Sequence, residues 1–311
     1  MERNFTIDDV TFVIIGKNES KIIERSFNSV HAITHRVIYV DSNSSDTSVE
    51  ISKKNNVGTV IGHKLNWATA AHSRNLGANL VRTKLIHFLD GDETVETGWI
   101  EAALKFLNSH PNVAVVHGFK KVFTEDFTTF TILKDKKNWE PDYLQGACLV
   151  VKQDFDAVGG FDNRLFGEEE RDFYVKLHAS GKKNWYVDEL MASHFDFKKR
   201  SIWQLVTSPN NAGKIIPLIN ALRNGHLMSY IFVYRNILAC LALELFPMLF
   251  LQFGYLSIVL MLMISQCMLY FFVIRINRRG YFIFWKGLFL RIDQIPKLIK
   301  RRLPVEFVRY V

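Results

Sequence analysis

Cysteine is scarce, with three in 311 residues. An odd and small set builds no disulfide framework, and Cys240 and Cys267 fall in the most apolar stretch. Reduced thiols and a cytoplasmic catalytic part are therefore expected. Internal repeats and low-complexity segments are absent. With 48% of residues apolar and 13% aromatic, the composition excludes a disordered or collagen-like chain. Met1 to Asp9 is polar and acidic, so no cleavable leader is expected. The length allows one large domain, alone or with a smaller appendage.

Excess charge is also missing from most of the chain. Residues 1–230 carry 28 basic and 28 acidic side chains. The net charge of +8 resides in residues 275–311, where ten basic side chains face only Asp293 and Glu306. A neutral body with a basic end argues against nucleic-acid binding. Directly before that end, Ile237–Ile274 holds a single charge, Glu244. As one helix it would be roughly 57 Å long, close to two hydrocarbon thicknesses. Pro247 and Gly254 lie inside the run, so a membrane hairpin is expected, with spans of about 231–251 and 255–274. A re-entrant hairpin and two buried helices are the alternatives. Arg235 is placed to snorkel, Glu244 to face protein or a polar cavity. The basic residues put both hairpin ends on the cytoplasmic side. Tyr281–Trp285 followed by Lys286, Arg291 and Lys300–Arg302 reads as an amphipathic segment on anionic lipid.

Residues 1–200 alternate short β-branched runs with helical patterns. Strands are expected at Thr11–Ile15, Arg36–Val40, Thr59–Ile61, Lys84–Leu89, Val113–Val116, Ala147–Val151 and Asn184–Val187. Helices are expected at Ser20–Val30, Thr69–Val81, Gly98–Asn108 and Glu168–Ala179, the last stopped by Ser180-Gly181. That alternation predicts an α/β fold with a mostly parallel sheet, whose ligands bind at the carboxyl ends of strands. Residues 201–230 read as a connector, and 275–311 as a basic amphipathic tail.

Acidic clusters follow three of these strands: Asn18-Glu19, Asp41-Ser-Asn-Ser-Ser-Asp46, and Asp90-Gly-Asp92. A sheet does not need carboxylates there for stability. Asp90 and Asp92, behind the apolar run Leu85–Leu89, suit a hard divalent cation carrying a diphosphate, Mn²⁺ or Mg²⁺. Asp41 suits either a ribose or base hydroxyl or an ordinary turn. Arg74, on the helix ahead, points either to phosphate or to solvent. Gly159-Gly-Phe-Asp162 leads into Gly167-Glu168-Glu169-Glu170-Arg-Asp172. Carboxylates crowded on a partly buried rim raise each other's pKa, which suits a general base; at a helix start they also complement the dipole. His194 is a candidate third metal ligand or a packed imidazole. The stretch Thr124–Asn138, with Phe123, Phe127, Phe130 and lysines at 134–137, is either an acceptor loop or an exposed β-hairpin.

Taken in order over about residues 11–200, these elements resemble the inverting family 2 glycosyltransferases, which have the GT-A nucleotide-sugar fold. The resemblance implies that Glu19 and Asp41 contact the nucleoside, and that Arg74 lines the nucleotide cleft. It implies that Asp90 and Asp92 hold metal and diphosphate, with His194 assisting in some members. Glu170 is implied as the catalytic base, with Glu169 as its rival. Lys17 and Glu170 depart from the commoner residues at their positions. The Gln-x-x-Arg-Trp element of processive synthases is missing, as Arg200-Ser-Ile-Trp203 does not match it, which implies addition of one sugar. The donor is then a nucleoside diphosphate sugar. With the membrane hairpin, the acceptor is a lipid-linked or other glycan of surface polysaccharide or lipopolysaccharide assembly, or else a polyprenyl phosphate. Two other readings remain. Asp90-Gly-Asp-Glu-Thr94 fits the nucleophile motif of haloacid-dehalogenase-like phosphatases, and an inactive membrane scaffold is the non-enzyme case.

Overall fold

The computed structural model describes residues 3–57, 59–63, 69–124, 127–134, 138–195, 215–245, 260–262, 264 and 307–310. The chain forms two units, Met1–Lys199 with Lys300–Val311, and Arg200–Ile299.

The first unit is built on β1 (Val10–Gly16), β2 (Val37–Asp41), β3 (Thr59–His63) and β4 (Leu85–Asp90), which run parallel in the order β3-β2-β1-β4. β1 reads Val-Thr-Phe-Val-Ile-Ile-Gly, and all but its last residue are buried. A strand covered on both faces needs such a continuous apolar run. The sheet continues through β8 (Cys148–Val151), β6 (Val113–Phe123), β9 (Lys183–His194) and β5 (Glu93–Val95), while β7 (Phe130–Leu133) pairs with β6 alone. β8 is antiparallel to both β4 and β6, so the sheet is mixed. At the opposite edge, β10 (Phe307–Tyr310) pairs antiparallel with β3. Phe307–Tyr310, within the expected basic tail, thus form a strand of this sheet, while the segment read as amphipathic, 281–302, lies outside the described residues.

Helices α1 (Ile23–His31), α2 (Ser48–Lys54), α3 (Ala70–Leu80), α4 (Trp99–Ser109), α5 (Lys152–Ala157) and α6 (Glu169–Ala179) complete the unit. α3 starts at Thr69, whose hydroxyl accepts the His72 amide hydrogen at 3.0 Å. It lies so close to β1 that a Cβ on Gly77 would fall 2.3 Å from Val13 Cγ1. α6 stops where expected: the Gly181 and Lys182 amides return to the carbonyls of His178 and Leu177, with Gly181 left-handed at φ 77°. Phe12, Ile14, Phe27, Tyr39, Leu89, Trp99 and Leu107 are fully buried in the core.

In the second unit, helices cover Ile216–Arg223, Leu227–Val233 and Arg235–Leu245. The expected connector thus contains helices. The expected span over 231–251 is interrupted at Tyr234, between two of them. No helix among the described residues is long and apolar enough to cross a membrane. The two-span membrane hairpin is therefore not supported. Its second span, 255–274, lies almost wholly outside the described residues, as does most of the basic tail.

Candidate active site

The parallel strands end side by side, and their following loops are stitched together. The Asn18 amide donates to Ser44 Oγ (2.9 Å), and the Ser45 amide to Asn18 Oδ1 (2.8 Å). The Glu19 amide donates to Ser48 Oγ, and the Ser20 amide to Asp46 Oδ2, each at 3.0 Å. Asn18 and Asn43 take left-handed backbone, φ 59° and 61°, which asparagine tolerates better than most residues. Asp41 is buried. It accepts from the Tyr39 hydroxyl at 3.1 Å and from the Ser44 amide at 2.9 Å, so its carboxylate holds the turn after β2. Burial, followed by the Asp41 charge, pushes the Tyr39 phenol far up, so it stays a donor.

Asp90 closes β4. The next amide, of Gly91, returns to the Ile15 carbonyl at 2.7 Å. A Cβ at Gly91 would sit 3.0 Å from Ile23 Cδ1 and 3.2 Å from the Ile15 carbonyl oxygen. The residue between the two acids is small because β1 and α1 leave no room. The Glu19 stem would lie 3.4 Å from the same point, which brings that acid beside the pair.

Arg74 is buried and turns inward. Its Nη2 donates to Asp90 Oδ1 at 2.9 Å. Its Nη1 lies 3.1 Å from Glu170 Oε1 and 3.5 Å from Glu169 Oε1. One guanidinium thus ties the first aspartate of the pair to both base candidates. Burial works against the Arg74 cation, but Asp90, Glu170 and Glu169 outweigh it and raise its pKa further, so it is a fixed cation. Burial also works against the Asp90 carboxylate. Arg74 and then Lys120 outweigh it and hold its pKa below the ordinary range.

Gly146 makes this geometry available. A Cβ there would fall 2.3 Å from Arg74 Nη2 and 3.3 Å from Glu170 Oε1. Asn75, the next residue on α3, pins the Gly159–Phe161 loop: it exchanges hydrogen bonds with the Phe161 amide (3.0 Å) and carbonyl (2.8 Å). Beyond that loop, Gly167 and Glu168 are both left-handed, φ 99° and 67°, and they aim the first turn of α6 at Arg74.

The two glutamates differ. The Glu169 side chain is 7% exposed and that of Glu170 22%. Burial, then the charge of Glu170, pushes the Glu169 carboxyl up to about 8, with Arg74 opposing. A carboxyl that holds its proton at neutral pH is a poor proton acceptor, so Glu170 fits the base better.

His194 closes β9, longer than expected, and sits opposite Glu93 of β5. Its Nε2 lies 3.3 Å from Asp92 Oδ2, and the Phe195 amide donates to the Asp92 carbonyl at 2.9 Å. Burial disfavours its imidazolium, but the Asp92 hydrogen bond and the charges of Glu93 and Asp92 prevail and raise its pKa. No group of three metal-ligating side chains is assembled among the described residues. The carboxylate of Asp92 and the imidazole of His194 nonetheless suit a divalent cation that takes its other ligands from phosphate oxygens. Asp90, engaged by Arg74, is the less available oxygen donor.

Glu93 and Lys120 had no place among the expected site residues. They form an ion pair beside Asp90, with Glu93 buried and Lys120, on β6, nearly so. The legible signal was a lysine pair at the end of the apolar run Val113–Phe119. Cys148 is free and buried, and burial pushes its thiol up to about 12, so it is no nucleophile.

Residues 11–165 match the family described as Glycosyl transferase family 2. Glycosyltransferase AglE of Haloferax volcanii is 23% identical over 207 residues, covering 61% of this chain and 67% of that protein. The pre-mycofactocin glycosyltransferase of Mycobacterium tuberculosis is 26% identical over 206 residues, and the match spans 60% of this chain but only 42% of that relative. Among solved structures, a mannosyltransferase from Pyrobaculum calidifontis, bound to GDP-Man and Mn²⁺, is similar with a TM-score of 0.59. Identity is 14%, over 93% of this chain and 87% of that one. Residues 1–349 of S. aureus TarS, bound to UDP-GlcNAc, give 0.58 at 14% identity, over 93% and 90%. The structural likeness shows a GT-A-like mixed α/β fold. The stretch that carries Asp90-Gly91-Asp92 is thus similar to Glycosyl transferase family 2, and the two curated relatives matched over about three fifths of the chain are glycosyltransferases.

Proposed function

We propose that the protein transfers one sugar from a nucleoside diphosphate sugar to a lipid-linked glycan, with inversion at the anomeric carbon. The observation that carries this reading is the Asp90–Arg74–Glu170 arrangement. It holds a diphosphate-side acid and a proton acceptor one guanidinium apart, at the carboxyl ends of the strands, where an α/β sheet binds ligands.

In this reading Asp92 and His194 hold Mn²⁺ or Mg²⁺ together with the donor diphosphate, and Asp90 takes part through Arg74. The bound cation supplies charge neutralisation to the departing diphosphate. Glu19 and the Asp41 turn face the nucleoside. Glu170 accepts the proton of the acceptor hydroxyl as its oxygen bonds to the anomeric carbon. The bond from that carbon to the diphosphate oxygen breaks on the opposite face. Arg74 holds the Glu170 carboxylate aimed at 3.1 Å, and Glu169, pushed up to about 8, stays neutral behind it.

A lipid-linked acceptor is supported by the apolar run Ile237–Ile274 and the basic residues that follow it, which suit a catalytic unit held at the cytoplasmic face of a membrane. A polyprenyl phosphate acceptor fits the same features.

The test is a donor panel. Protein in detergent, with Mn²⁺ or Mg²⁺, is assayed for binding and slow hydrolysis of nucleotide sugars. The reading expects use of one donor, abolished by EDTA and by Asp92→Asn. Use of no donor, or unchanged use with EDTA present, contradicts it.

A further inference from the structure

The hairpin of β6 and β7 rises directly from the metal-side residues, and its chemistry is unlike the rest of the first unit. Phe130, Ile132 and Leu133 are 44%, 50% and 59% exposed. Among the described residues of that unit, they are the only large hydrophobics so exposed. Strand pairing sets Phe123 opposite Phe130 and Lys121 opposite Ile132. Alternate residues share a face, so Phe123, Lys121, Phe130 and Ile132 lie together on one side of the hairpin.

That face meets the site at the backbone of Phe195. Phe195, bonded through its amide to Asp92, stacks on Phe123 with ring centres 5.1 Å apart and planes at 18°. Phe123 in turn meets Phe130 at 5.2 Å. Cations line this path. The Arg25 guanidinium lies 4.6 Å from the Phe127 ring centre and 6.0 Å from that of Phe195. Lys121 Nζ lies 5.5 Å from the Phe130 ring, and Lys134 Nζ 4.8 Å from that of Phe119 while pairing with Asp188.

We propose that this face binds the lipid-phosphate end of the lipid-linked acceptor, its hydrocarbon chain along the hairpin and its phosphate against Lys121 and Arg25. The inference rests on the glycosyl-transfer reading above and deepens its acceptor side. The ligand is amphiphilic because the face is: aliphatic and aromatic groups in line, with the Arg25 and Lys121 cations against the rings. An isolated sugar would leave Ile132 and Phe130 largely uncovered by apolar contact. Insertion of the hairpin tip into an anionic bilayer is disfavoured, because the connection between β6 and β7 carries Glu125 and Asp126 in sequence. The chain of one lipid lying along the strand avoids both acids.

The test uses the full chain held in an amphipathic polymer, titrated with farnesyl phosphate, farnesol and inorganic phosphate. Farnesyl phosphate is expected to bind at least tenfold tighter than inorganic phosphate. Phe130→Ser with Ile132→Ser is expected to remove about tenfold of that advantage, as loss of this apolar area implies. Lys121→Gln is expected to weaken farnesyl phosphate and leave farnesol unchanged. Equal affinity of wild type and the double variant for farnesyl phosphate overturns the proposal, as does binding of anionic vesicles without binding of farnesyl phosphate. Thermal midpoints check the fold, and Ile132→Gln alone, at a half-exposed position, replaces the double variant if its midpoint falls. Failure here and failure of the glycosyl-transfer reading are separable. Donor use without farnesyl phosphate binding removes only the lipid face. Farnesyl phosphate binding without use of any donor removes the transferase reading.

Discussion

Replacing Arg74 tests the centre of the site. Its guanidinium is buried and serves Asp90 at 2.9 Å, Glu170 at 3.1 Å and Glu169 at 3.5 Å. Arg74→Ala leaves three carboxyl groups around an empty space, two of them largely shielded from water. Breaking a buried ion pair by removing one partner costs about 3–5 kcal/mol. In a unit of this size each kcal/mol moves the midpoint by roughly 2–4 °C, so thermal unfolding should fall by about 6–20 °C. Arg74→Lys separates charge from geometry. It keeps the cation but loses the planar fork that spans Asp90 and Glu170 together. Most of the stability should return, while turnover stays down by about 100-fold, the cost expected when a catalytic group is misplaced by about 1 Å. The assay pairs calorimetry with donor hydrolysis on the wild type and both variants. A loss below about 1 kcal/mol for Arg74→Ala, or near-normal turnover for Arg74→Lys, would refute the claim that one arginine organises both halves of the site.

Two further outcomes follow from the same geometry. The Glu169 carboxyl sits at about 8 when folded, against an ordinary value of 4.5. A raised carboxyl contributes stability that is complete below the unfolded pKa and is lost as pH rises through the folded one. Glu169→Gln should therefore gain stability relative to wild type between about pH 5 and 8, measured by urea unfolding across that range; a pH-independent difference would contradict the assignment. Gly146→Ala places a methyl 2.3 Å from Arg74 Nη2. Overpacking of this kind costs about 1–3 kcal/mol, and turnover should fall further than donor affinity does; a fully active Gly146→Ala would show that Arg74 has other room.

Much of the nucleotide half was legible because it follows the strand alternation. The apolar run Leu85–Leu89 announced β4, and Asp90-Gly91-Asp92 could only follow at its carboxyl end. The Ser180-Gly181 stop fixed the end of α6, and with it the register of Glu169 and Glu170. What escaped was held by long-range pairing. β5 is three residues, Glu93–Val95, and exists through its partner β9. β6 and β9 run beyond their expected ends because each supplies the other's hydrogen bonds, through several bulges. That extension carries Lys120 to Glu93 and makes His194 a strand residue. The inward turn of Arg74 was one of two readings of the sequence, but its engagement of Asp90, Glu169 and Glu170 was not legible, since no local pattern shows that Gly146 vacates the space for it. The apolar run after residue 231 illustrates the opposite risk. Hydropathy alone reads it as spans, whereas the described part is interrupted at Tyr234.

The most direct measurement compares Glu170→Gln and Glu169→Gln in donor binding and single-turnover transfer. Binding should survive in both, because neither group is placed on the nucleotide. Transfer should fall by about 100-fold or more in Glu170→Gln, the usual contribution of a general base, and far less in Glu169→Gln. Retained transfer in Glu170→Gln alongside its loss in Glu169→Gln would move the base one residue and contradict the site described here.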